Sequence, residues 1–149
     1  MSMFIKKNYR DGIIDSFTGE YEFLSNFYNC PVIYNGLRYQ NSEAAYQAQK
    51  LKSNMDRIPF TKLNPSQAKR LGRQVQLRDD WEEIKLMEMF NIVYCKFKQN
   101  PDLAKKLADT GDTYLEEGNT WNDTYWGVCK GVGENKLGKI LMTIRNEHR

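Results

Sequence analysis

NSEAAYQAQKLK, residues 41–52, is the stretch that organises the chain. Its start predicts a helix: Asn41 or Ser42 can cap it, and Glu43 puts a negative charge in the first turn, where the helix dipole favours one. At about 100° per residue, Glu43, Tyr46, Gln47 and Lys50 share one face. Ala44, Ala48 and Leu51 form an adjacent apolar stripe. The helix thus pairs a row of carboxylate, phenol, amide and amine with a face small enough for close packing. A solvated surface helix carries the same pattern, so this stretch alone does not distinguish a site from a surface.

Working outward, Val32–Tyr34 and Leu37–Tyr39 flank Asn35-Gly36. That is a β-hairpin signal, because both central residues of a type I′ turn need positive φ. The hairpin leads straight into the helix and sets its entry. Before it lies FTGEYEFLSNFYNCPV, residues 17–32, whose aromatics fit neither a helical nor a strand period. It reads as a loop pinned to the core, or as an aromatic wall with Asn26 as its polar group; small-molecule pockets combine the two features. Phe4-Ile5 and Ile13-Ile14 read as short strands.

Downstream, residues 54–62 suit a short helix. Asn64-Pro65-Ser66-Gln67 is a helix start with Pro at the first position and Gln67 reaching back; the helix runs to about Gln74 and buries Ala68, Leu71 and Val75. Lys69, Arg70, Arg73 and Arg78 make it basic. Such a run is commonly a solvated face, or else Arg73 grips a phosphate. Asp80 and Glu83 are spaced as a capping box for the longest helix, a core helix from Trp81 that ends before Asn100-Pro101. Its apolar surface takes in Trp81, Ile84, Leu86, Met87 or Glu88, Met89, Phe90, Val93 and Phe97. A further helix runs through Leu103 and Leu107 to near Thr110-Gly111. Residues 112–134 are irregular and hold Glu116, Glu117, Asn119, Trp121, Asp123, Tyr125 and Trp126. Gly131-Val132-Gly133 does not open a dinucleotide fingerprint, since Lys136 stands at the third glycine position. Asn135 is placed to cap a last helix through Leu137, Ile140, Leu141 and Ile144.

Composition narrows the chemistry. At 149 residues, 40% hydrophobic and 28% charged, the chain suits one globular domain. No apolar run approaches the ~18 residues of a membrane span. The first residues lack the apolar core of a secretory signal. Three dispersed cysteines, Cys30, Cys95 and Cys129, suit reduced thiols in the cytoplasm. The one histidine, His148, argues against Ser-His-Asp and Cys-His catalysis and most zinc sites. Carboxylates, lysine, tyrosine and arginine must carry any reaction. Net charge +3 permits an anionic ligand.

These residues suggest a pocket from three discontinuous pieces: the aromatic loop near Asn26, the Glu43/Lys50 face and the 119–126 loop. Rings suit a flat heterocycle. Two separated carboxylates, Glu43 and Asp123, suit glycosyl chemistry, one handling the leaving group and the other an oxocarbenium-like centre or water. A desolvated Lys50 loses its charge more easily and can attack a ribose C1 as an amine. On an ideal helix Glu43 and Lys50 lie roughly 10 Å apart at Cα, enough to flank one sugar ring.

FTGEYEFLSNFY (17–28), YQNSEAAYQAQK (39–50), AKRLGR (68–73), DDW (79–81), LEEGNTWNDTYWGVC (115–129) and GENKLGKILMTIR (133–145) occur in this order. Together with KF at 96–97 and TGD at 110–112, they resemble the YbiA-like, or NADAR, family over nearly the whole chain. The resemblance implies an α+β fold, mostly helical with a small β hairpin or sheet, in a single domain over 1–149. It implies an N-glycosidase without cofactor or metal. The substrate would be a phosphorylated N-riboside such as a ribosylamino-pyrimidine phosphate of riboflavin biosynthesis, or else an ADP-ribosylated guanine. The implied catalytic residues are Glu43, Lys50 and Asp123. Implied substrate contacts are Asn26, Phe27, Tyr46, Gln47 and Arg73, with Trp81, Asn119 and Trp126. Lys50 would form a Schiff-base-type intermediate at C1, or water would attack directly. Whether Glu116 or Glu117 faces the site stays open. The expected partner is a small molecule, with nucleic acid only as carrier of a modified base and no membrane; a silent ADP-ribose-binding module is the non-enzyme alternative. A basic stripe over 69–78 binding nucleic acid is weaker, at four positive charges.

Overall fold

The computed structural model describes residues 9, 10 and 12–147; the Phe4-Ile5 strand expectation and His148 lie outside them. In chain order the elements are β1 Tyr9–Arg10, β2 Ile13–Ile14, a 3-10 turn Gly19–Leu24, β3 Val32–Tyr34, β4 Leu37–Tyr39 and α1 Ser42–Ala48. They continue with α2 Asn54–Arg57, a 3-10 turn Ile58–Lys62, α3 Pro65–Gly72, α4 Trp81–Gln99 and α5 Pro101–Asp109. β5 Tyr114–Leu115, β6 Gly118–Asn119, β7 Val128–Cys129 and α6 Lys136–Glu147 complete the chain. This is the expected α+β class, with helix dominating short sheets. The contacts divide it into two compact units, Asn26–Pro101 and the described residues up to Ser25 together with those from Asp102 on.

In the 26–101 unit, β3 and β4 pair antiparallel with Tyr34 opposite Leu37. Asn35 and Gly36 have φ of 50° and 84°, the backbone the Asn-Gly signal predicts. Gln99 at the end of α4 docks the hairpin: its Oε1 accepts from Ile33 N and its Nε2 donates to Ile33 O, both at 2.8 Å. Two edge-strand groups that would otherwise need water are thus satisfied. The hairpin delivers the chain to Asn41, whose Oδ1 accepts from Ala44 N at 2.7 Å. All seven residues of α1 are buried.

The helix stops at Ala48 rather than Lys52. Lys50 N and Leu51 N reach back only three residues, to Gln47 O and Ala48 O. The reason is tertiary: Arg78 N donates to Lys50 O, and Arg57 Nε donates to Leu51 O. These partners take carbonyls that a longer helix would have used itself. α3 opens with the expected capping box, Asn64 Oδ1 accepting from Gln67 N and Gln67 Oε1 from Asn64 N. It ends at Gly72, and Ala68 and Gly72 are its buried residues; Leu71 and Val75 are half-buried. α4 spans the expected residues, but Asp80 does not cap it. Its carboxylate pairs with Arg78 Nε at 2.7 Å. A guanidinium two residues away offers a charged partner that a helix N–H does not match. The buried stripe of α4 is Trp81, Met89, Ile92, Val93, Lys96 and Phe97, whereas Leu86 and Met87 are exposed.

In the other unit, β2 pairs antiparallel with β1 and parallel with β5, and β6 pairs parallel with β7. All five strands are two-residue pieces; β2 is the expected Ile13-Ile14 strand, whereas β5, β6 and β7 lie within the irregular 112–134 stretch, where no periodicity announces them. α6 buries Leu137, Ile140, Leu141 and Ile144, as its spacing predicts. Asn135 precedes it in a left-handed conformation (φ 52°). Its side chain does not cap the helix; Oδ1 accepts from Glu117 N and Nδ2 donates to Leu115 O, each at 2.9 Å. Phe17, Phe23 and Leu24 are buried, which fits the pinned-loop reading of that stretch. Among the described residues no helix is long and apolar enough to cross a membrane.

Candidate active site

α1 presents its polar row inside the protein. Glu43, Tyr46 and Gln47 are only 8%, 5% and 6% exposed, which removes the surface-helix reading. Gln47 Nε2 donates to Glu43 Oε2 at 2.6 Å, one turn apart on the same face. Asn26 joins them from the preceding loop. Its carbonyl accepts from Glu43 N at 3.2 Å, and its side-chain nitrogen contacts Met89 Sδ at 3.3 Å. Behind the row, the Tyr46 and Trp81 rings pack with centroids 5.2 Å apart. Glu43, Gln47, Asn26, Tyr46 and Trp81 are therefore neighbours in one buried patch of the 26–101 unit.

Lys50 follows in the tightened turn, its N donating to Gln47 O at 3.2 Å. Its Nζ donates to Gly72 O at 3.0 Å. That carbonyl is in the last turn of α3, the negative end of the helix, and has no intrahelical partner to receive. Burial pulls the Lys50 ammonium below the ordinary lysine range. Glu43 opposes that shift, and the cations Arg73 and Lys85 reinforce it. A lysine whose charged form is disfavoured by burial, near a carboxylate, suits nucleophilic or proton-transfer work.

Burial without satisfaction marks the patch. Asn26 Oδ1, Gln47 Oε1 and Ser42 Oγ are buried oxygens with no hydrogen-bond partner. Native proteins leave few such atoms, and each calls for a partner, a ligand or ordered water among them; Tyr39 Oη on β4 is another. Arg73 caps α3 at its C-terminus and is exposed; Phe27 is 44% exposed, with Lys69 Nζ 5.9 Å from its ring centre. Both stand at the open side of this unit rather than in the buried row.

Asp123, Asn119 and Trp126 belong to the other unit. Asp123 Oδ1 accepts from Tyr125 N at 3.1 Å and Trp126 N at 2.9 Å, an Asx-turn arrangement. Asn119 ties the same loop: Nδ2 donates to Glu117 Oε1 and Asp123 O, while Oδ1 accepts from Asp123 N and Trp121 N. The Glu117 carboxylate is thereby held within its own loop. The Trp126 and Tyr125 rings meet edge-on at 4.8 Å.

Two residues near Lys50 escaped the sequence reading. Lys85 sits four residues from both Trp81 and Met89, on the stripe that touches Tyr46 and Asn26, and that spacing was the available signal. Gly72 was visible only as a residue in a basic run. Among the described residues no group of three or more His, Cys, Asp or Glu is placed to hold a metal.

The helices, small sheets and buried carboxylate–lysine row define an α+β protein with an enzyme-like site. A NADAR domain model matches residues 13–149, and the chain belongs to that family. It is 35% identical to N-glycosidase YbiA of Escherichia coli over 144 residues, covering 93% of this chain and 89% of that protein. The NMR structure of E. coli YbiA superposes with a TM-score of 0.81, covering 97% of this chain and 89% of that one at 33% identity. A riboflavin biosynthesis protein of Vibrio vulnificus is 41% identical over 129 residues, which are 84% of this chain. The chain spans only 35% of that larger relative.

Proposed function

We propose that this protein is an N-glycosidase that hydrolyses the C–N bond of a phosphorylated N-riboside, with a ribosylamino-pyrimidine phosphate as the favoured class. The observation that carries the reading is half-buried Lys50, whose ammonium is lowered by burial and interacts electrostatically with the buried Glu43 carboxylate. The names of the YbiA and riboflavin biosynthesis relatives support it. The unbroken family match supports treating 1–149 as one domain, and the three free cysteines suit work in the cytoplasm.

In this mechanism the base nitrogen gains a proton as its bond to C1 breaks. The neutral Lys50 amine forms a bond to C1 and gives up a proton to Glu43, which passes it to the departing base nitrogen. The bond from C1 to the ring oxygen then opens to the protonated Schiff base, the ring oxygen taking a proton from solvent that the later hydrolysis returns. Water then adds at C1, the Lys50–C1 bond breaks, and free sugar phosphate leaves. Asn26, Gln47, Tyr46 and Trp81 shape the pocket; Phe27 and Arg73 meet the outer part of the ligand, Arg73 its phosphate. Asp123, with Asn119 and Trp126, is proposed to act on turnover through the loop it organises or through its charge.

The test offers a ribosylamino-pyrimidine phosphate and ADP-ribosylated guanosine in parallel and follows free base. Release from the first supports the reading, release from the second alone reassigns the substrate, and release from neither overturns it in favour of a binding module. Borohydride should trap wild type but not Lys50→Ala. An untrappable wild type replaces the covalent route by direct water attack. The rate should rise with pH through a midpoint below the ordinary lysine value, because the free amine is the attacking form.

A further inference from the structure

Gly72 closes α3 with a φ outside the left-handed region, so its backbone does not call for glycine. Alanine would favour the helix by about 1 kcal/mol. What excludes a side chain is Gln47. A Cβ at position 72 would lie 2.0 Å from Gln47 Oε1, 2.7 Å from its Cδ and 3.2 Å from its Cβ. The bare Cα lets the Gln47 carboxamide lie against α3 with its oxygen toward Gly72 and its nitrogen on Glu43 Oε2. The carbonyl of the same glycine takes the Lys50 ammonium at 3.0 Å.

We propose that Gly72 is a positioning residue that holds Glu43 and Lys50 as one unit, the acid through Gln47 and the amine through its own carbonyl. The proposal rests on the assignment of those two residues to the reaction. A methyl group at 72 must displace the Gln47 carboxamide and also crowds Gln47 Cβ at 3.2 Å, so α1 and α3 give by a few tenths of an ångström, the helix survives and the Gln47–Glu43 hydrogen bond is lost. The carboxylate then has more freedom, and proton handling slows while substrate binding does not.

The experiment compares wild type, Gly72→Ala, Gln47→Ala and the double variant. Gly72→Ala is expected to stay folded but melt below wild type, because the lost buried hydrogen bond outweighs the helix gain from alanine, to lose about 10- to 100-fold in kcat and to keep KM within about threefold. In the Gln47→Ala background the same change should add less than about threefold, because its target is gone. A second readout is independent of turnover. The side-chain amide resonance of Gln47 should titrate with Glu43 in wild type and stay flat in both Glu43→Gln and Gly72→Ala. Wild-type kcat with an intact Gln47 titration in Gly72→Ala overturns the proposal, as do fully additive losses. If Gly72→Ala does not fold, Gln47→Ala must by itself show the kcat loss, and full activity there overturns it. If wild type releases base from neither substrate, the glycosidase reading falls, and the Gln47 titration alone decides whether Gly72 sets the Glu43 contact.

Discussion

α1 and the 117–126 loop are both dense in polar side chains, and they handle them in opposite ways. In the loop, the Asn119 amide and Asp123 Oδ1 are met by nearby backbone and by Glu117. In and beside α1, Gln47 Oε1, Ser42 Oγ and Asn26 Oδ1 are sealed from water and lack partners. Each such atom forgoes a hydrogen bond, a cost of roughly 1–3 kcal/mol. The difference teaches that a polar cluster in sequence is ambiguous between architecture and chemistry, and that satisfaction separates them. The loop uses its polar groups to hold a shape. The helix region keeps some unengaged, beside a half-buried lysine.

The largest effect should come from that lysine. Lys50→Ala should lower kcat by about 1,000-fold or more in the base-release assay while a thermal melt stays close to wild type. Activity within about tenfold of wild type would break the contrast at its stronger end.

Asp123 tests the other end. Asparagine keeps an oxygen for Tyr125 N and Trp126 N, whereas alanine does not. If the residue acts by shaping the loop, Asp123→Asn should retain activity within about threefold and Asp123→Ala should lose roughly tenfold or more. Equal, large losses in both would instead assign the charge to the reaction, and the loop would join α1 as a chemical element.

Lys96 asks whether burial alone, away from the α1 row, perturbs a lysine. It is 1% exposed, with its ammonium 5.4 Å from the Phe97 ring centre and 5.7 Å from that of Tyr28, and burial brings it down to about 7. Between about pH 7 and the ordinary lysine range, the unfolded chain holds a proton that the folded chain has shed. Stability should therefore rise with pH across that window, by up to about 1.4 kcal/mol per pH unit, and flatten below it. Denaturant melts at several pH values should show the slope in wild type and lose it in Lys96→Met, with base release little changed. The smallest effect is expected at the start of α3: Asn64→Ala should cost about 1 kcal/mol of stability without altering KM, since it removes one cap far from Gly72 along the helix.

Local chemistry was enough wherever one residue's own preferences decide. Asn35-Gly36 dictates its turn through positive φ, Asn64-Pro65 with Gln67 dictates a helix start, and Leu137 through Ile144 dictates a buried helical face. The row Glu43, Tyr46, Gln47 and Lys50 was likewise legible as a face. Tertiary structure decided what no spacing encodes. It ended α1 at Ala48 by giving the Lys50 and Leu51 carbonyls to Arg78 and Arg57. It drew Asn135 to Glu117 and Leu115, where these partners outcompeted the cap. It buried the polar face of α1, and it left room at Gly72 for one carboxamide. Periodicity records which side chains share a direction; whether that direction meets water, a carbonyl or a bare Cα depends on segments distant in sequence.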